Sequence, residues 1–185
     1  MRVAIYAILV GPMLQVHAQD LANNVQSVSI EDDDDYYGFD LIEPENIRLF
    51  VLAEHWHNIR LVPKVTLKVL KYLNKTANVR ILAIEQGASA AHMINGYLQS
   101  GDTTYLRSII RNTLFWGKEH WDFFKNLRSY NLFLPEGKKI RVASIDIEYK
   151  MASAIFVINE LIGQKAIPKD LQNTVGLFKQ LFERK

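Results

Sequence analysis

Residues able to share one reaction centre stand just beyond three apolar runs of this 185-residue sequence. LFVLAEHWHN, Leu49 to Asn58, passes from five apolar residues straight into Glu54, His55 and His57, while VRILAIE stops at Glu85 and IRVASID at Asp146. Histidine is the simplest general base near neutral pH, and a carboxylate within hydrogen-bond reach fixes its tautomer and stabilises the imidazolium as it forms. His57 suits the base, with Glu54 or Glu85 as its orienter. If the chain turns helical after Glu54, that residue and His57 share a face; if it stays extended, His55 and His57 do. One acidic strand end is ordinary, a helix cap or a turn residue. Three of them, the first followed by a histidine three positions on, point to a site.

Water is the expected nucleophile. There is no cysteine and no Gly-x-Ser-x-Gly elbow, and Ser89 and Ser144 have no motif around them. No cofactor is expected. Glu54, His55, His57, Glu85 and Asp146 are nevertheless ligand types for zinc or manganese, so a divalent metal is the chemical alternative, although neither His-Glu-x-x-His nor a second histidine pair accompanies them.

Such a site needs elements that bring its residues together. The apolar runs Ile47 to Ala53, Val79 to Ile84 and Ile140 to Ile145 read as buried strands. Between the first two, IRLVPKVTLKVLKYLNKT repeats Val62, Val65, Val69, Leu70 and Leu73 at helical spacing, with Pro63 tolerable only in a first turn. ASAAHMINGYLQSG, DTTYLRSIIRNTLFW and KEHWDFFKNLRSYNLF follow as three helices, each bounded by glycine or polar residues. After Asp146 come MASAIFVINELIG, closed by Gly163, and an amphipathic helix from Asp170 carrying Leu171, Val175, Phe178, Leu181 and Phe182. Alternating strands and helices predict an α/β fold, a parallel sheet of at least three strands with flanking helices. Glu54, Glu85 and Asp146 should then emerge at one edge, where open α/β sheets bind ligands.

The opening segment MRVAIYAILVGPMLQVHAQ has one cation, an apolar run and a small-residue exit at Ala18, the pattern of a secretory signal over residues 1–19. Its apolar run is shorter than the roughly 20 residues of a membrane span, and Gly11-Pro12 interrupts it, so cleavage rather than anchoring is expected. An exported chain without cysteine must rely on its core, which suits a bacterial periplasm. Residues 20–46, with the aspartates Asp32 to Asp35, read as an acidic polar linker, since the alternating ligands of a calcium loop are missing. Loss of the leader leaves 21 basic and 20 acidic residues. On that balance no field for nucleic acid or an anionic membrane is expected. His120, among Trp116, Trp121, Phe123 and Phe124, reads as part of a packing face. His92, near Ile94 and Tyr97, reads as a partly buried helix histidine that could line a cleft.

LAEHWHN is similar to a Gly-Glu-x-x-His-Gly segment, AIEQGASAAHMINGYLQSG resembles a glutamate-bearing strand followed by a helix with Asn-x-Tyr, and LRSYN with VASIDIE looks like Arg-x-x-Asn and Gly-Ile-Asp segments. Together, over roughly residues 47–149, they resemble the erythromycin esterase-like hydrolases. The resemblance implies hydrolysis of an ester, in founding members the macrolactone ring of a macrolide, by water that a histidine activates. Glu54 and His57 take the Glu-x-x-His positions, Glu85 the second acidic position, Arg128 the arginine position, where it is expected near the carboxylates or the developing oxyanion, and Asp146 the third strand end. His55 and His92 are the expected substrate contacts, and a small-molecule ester the expected partner. Ala53 and Asn58 stand where the family has glycine. Residues 47–185 are expected to be a partial erythromycin esterase-like domain, the N-terminal half of the catalytic domain, because the family brings a further histidine from a C-terminal half. A non-catalytic remnant or binding module is the alternative function.

Overall fold

The computed structural model of the chain describes residues 29–30, 35–36, 38–39, 47–53, 60–112, 117–148, 151–164 and 167–183. Its contacts divide it into two units, Met1–Phe50 and Val51–Lys185. In the first, the Phe39 N–H donates to the Tyr36 carbonyl at 3.0 Å, and the two rings meet edge to face, 6.4 Å between centroids.

The second unit is a mixed α/β structure, mostly helical. α1 (Leu61–Ala77) opens with Pro63 inside its first turn, where proline removes no helical bond, and ends on Asn78 in the left-handed conformation. β1 (Ile81–Ile84) leads into α2 (Ala88–Ser100), α3 (Thr103–Asn112) and α4 (Lys118–Leu132). A 3₁₀ turn (Glu136–Lys138) then precedes β2 (Arg141–Ser144), and α5 (Met151–Gln164) and α6 (Lys169–Glu183) follow. β1 and β2 pair in parallel, Ile81 opposite Arg141 and Ile84 opposite Ser144. The helical periods and the second and third of the expected strands thus recur at their expected places, and the long crossover supplies the helices a parallel pair requires.

α2 is the hub of the packing. It lies against β2, α3, α4 and α5, while α1 packs on α4. Met93 and Ile94 from α2, Leu106 and Ile109 from α3, Leu127 from α4 and Ile140 before β2 are fully buried. Phe123 and Phe124, expected as a packing face, are buried in that core. Each such side chain contributes about 1.5–3 kcal/mol on leaving water, which holds the helices to one another and α2 to β2.

Two expectations need amending. Ile47 to Ala53, anticipated as the first strand, carries no ladder: Leu49 and Val51 are 77% and 78% exposed, and the sheet among the described residues has two strands. An apolar run favours burial, but neither burial nor strand geometry appears without a neighbour to take up its side chains and backbone groups. Gly163 does not close α5, which continues to Gln164.

Candidate functional site

The parallel register carries Glu85 and Asp146 out of the sheet at the same edge. The Ile145 N–H donates to the Ile84 carbonyl at 3.0 Å, and the Asp146 N–H to the Gln86 carbonyl at 3.4 Å, so the two exits remain joined past the strands. The Gln86 N–H also turns back to the Ile84 carbonyl at 2.9 Å, a three-residue turn with exposed Glu85 at its apex. Gln86 itself is buried. Asp146 is exposed, and its Oδ1 accepts the Ile147 N–H at 2.7 Å. A ligand at this edge therefore meets two solvated carboxylates on a backbone that is already fixed.

Glu148 adds a third carboxylate. Its Oε2 accepts the Ser89 N–H at 2.9 Å, which caps the N-terminus of α2 from 59 residues away. Gly87 precedes α2 with φ −68° and ψ 163°, a conformation open to any residue. The approach of Glu148 is close: a Cβ at Gly87 would lie 2.6 Å from Glu148 Oε1 and would displace that carboxylate. Glu148 thereby clamps the loop after Glu85 to the loop after Asp146, favourably placed for the helix dipole.

Of the remaining expected residues, His92 and Arg128 lie elsewhere. Glu54, His55 and His57 fall outside the described residues. His92 sits on the second turn of α2, with Nε2 3.4 Å from Glu160 Oε2 on α5. The Tyr105 hydroxyl of α3 donates to the other oxygen of Glu160, which raises the tyrosine above its ordinary pKa. Arg128 is not among the carboxylates. Its guanidinium packs over Gly101, where φ is +77° and a Cβ would stand 2.7 Å from Nη2. Gly101 ends α2 and Gly87 begins it, so the 13 residues between place Arg128 roughly 20 Å from the strand exits. Beside it, Tyr97 is pushed up by burial, partly offset by the charges of Arg128 and Lys125.

Glu148, Glu160 and Tyr105 were not singled out by sequence reasoning. A sequence signal existed only for Glu148, two positions beyond Asp146 in a run that alternates in character; Glu160 and Tyr105 meet His92 through helix packing alone. Among the described residues no group of three or more acidic, histidine or cysteine side chains could hold a metal ion. The site is thus a solvated acidic edge anchored on a helix N-terminus. No family model, curated protein or solved structure matches the chain.

Proposed function

We propose that the chain is an exported hydrolase of the erythromycin esterase-like type, cleaving an ester, with a macrolactone among the candidate substrates. In this reading His57 takes a proton from water as the oxygen attacks the ester carbonyl, then returns it to the departing alkoxide, leaving an acid and an alcohol. Glu54 orients the imidazole, while Glu85 and Asp146 stabilise the imidazolium. In this reading the sheet has at least three parallel strands, the further one adding beside β1. Arg128 supports α2 in it rather than the reacting oxygen.

The observation that carries the reading is the parallel register, which leaves Glu85 and Asp146 on one edge beside the clamped N-terminus of α2. The test is hydrolysis of nitrophenyl esters and macrolactones by the purified chain, with products identified by mass. His57→Ala should slow turnover about 100-fold or more, typical of general-base loss. Glu85→Gln should slow it with little change in melting temperature, because Glu85 is exposed. Full activity of the His57 variant refutes the reading. Activity abolished by a chelator and restored by zinc or manganese assigns the same edge to metal-dependent hydrolysis, and a folded chain that binds esters without turnover makes it a binding module.

A further inference from the structure

The end of the sheet opposite the carboxylates has the reverse chemistry. α4 stops at Leu132, and a tight turn follows, with the Phe133 N–H donating to the Tyr130 carbonyl and the Leu134 N–H to that of Asn131, each at 3.2 Å. The segment beyond is tied down. The Arg80 guanidinium donates to the Gly137 carbonyl at 3.1 Å, and the Asn74 amide to the carbonyls of Lys138 and Val79 at 3.0 and 2.7 Å. The Tyr130 hydroxyl donates to Asn74 at 2.9 Å. On this fixed turn Leu132 is 59% and Phe133 89% exposed, and Ile81 at the start of β1 is 64% exposed. Large apolar side chains held in water by a rigid frame are unfavourable for the isolated chain.

Cations accompany them. Between Asn74 and Ile81 and between Tyr130 and Arg141, the charged residues are Lys75, Arg80, Lys138, Lys139 and Arg141, against Glu136 alone. Lys139 engages Glu136 at 2.7 Å and, with Arg141 beyond it, holds that carboxyl below its ordinary range. Arg80, Lys138 and Arg141 are exposed and make no ion pair among the described residues. The even charge balance of the whole chain averages this end with the acidic edge opposite and so conceals it.

We propose that this end of the molecule seats on an anionic lipid surface, Leu132 and Phe133 entering the interface while Arg80, Lys138 and Arg141 lie over the headgroup phosphates. A ring 89% exposed has almost no neighbours of its own. A protein interface surrounds such an anchor with ordered contacts over about 800 Å² per partner, whereas a fluid surface closes around a single protrusion. The rigid turn means that little ordering entropy is lost on insertion, and each cation near an anionic leaflet adds roughly a fivefold preference. Among the described residues no helix is long and apolar enough to cross a membrane. The lipid seat stands independently of the hydrolase reading.

Co-sedimentation of the full chain with vesicles tests it, using phosphatidylcholine alone and phosphatidylcholine mixed equally with phosphatidylglycerol. The apolar N-terminal segment is common to all variants, so only differences between them are read. The mixed vesicles should bind more protein. Leu132→Ser with Phe133→Ser should lower that partition about tenfold or more, equivalent to about 1.4 kcal/mol per factor of ten. Phe133→Trp should retain it, and Lys138→Glu with Arg141→Glu should lower it about 25-fold or more at low salt and less at high salt. Thermal melting must leave these surface variants folded; one that does not is replaced by the single Phe133→Ser. Equal partition of wild type and the serine variant, or equal binding to both vesicle types, overturns the proposal. A concentration-dependent dimer that Phe133→Ser abolishes, with no vesicle preference, overturns it in favour of a second copy of the chain.

Discussion

The two outer edges of the small sheet are treated in opposite ways. Along β2 the side chain of Asn131 donates to the Ile140 carbonyl at 2.8 Å and accepts the Ile140 N–H at 2.9 Å, and Asn95 does the same for Val142 at 2.8 and 2.9 Å. Each primary amide thus imitates one residue of a neighbouring strand. Along β1, Arg80 and Ile84 turn their carbonyls to β2, so the backbone groups of Ile81 and Ala83 face outward, and no ladder meets them among the described residues. An unpaired edge is a template for another strand, and proteins commonly block it. Here the block is on β2, which makes β2 terminal and leaves growth of the sheet to the β1 side.

The difference can be broken or sharpened by substitution. Asn131→Leu should cost most, about 2–4 kcal/mol, since it leaves a buried N–H and carbonyl of Ile140 without partners. Urea unfolding should show the loss as a lower midpoint at unchanged slope. Asn95→Leu should cost less, about 1–2 kcal/mol, because its bonds to Val142 are only partly buried and water can replace them in part. The smallest effect is expected from Ala83→Pro. Proline there removes an N–H that faces away from β2, so less than about 1 kcal/mol should be lost, the tolerance of an edge strand. A loss as large as that of Asn131→Leu would mean that β1 is paired on both sides, and the contrast between the edges would disappear.

The asparagines also explain part of the motif pattern. Asn95 belongs to the Asn-x-Tyr segment and Asn131 to Arg-x-x-Asn, and both serve the edge of β2. Arg128, expected beside the carboxylates, packs over Gly101. A surface cation and a structural arginine have the same one-letter signature, and the separation becomes evident only once α2 lies between them.

Local periodicity was the legible part. Spacings of three and four placed α1 to α6 close to their ends, because one apolar face must be buried along each helix. Short β-branched runs placed β1 and β2, and the helices between them required the pair to be parallel. Ile47 to Ala53 has the same composition yet no ladder, since a strand is a relation between two segments and composition describes only one. The same limit applies at the candidate site. Glu85 and Asp146 were readable as strand ends, and a parallel register sends strand ends one way. Glu148 on Gly87, Tyr105 with His92 on Glu160, and the lone exposed Phe133 among cations depend on contacts between segments tens of residues apart. Such contacts are selected by the packing of whole helices, a property of tertiary structure that no single window of sequence contains.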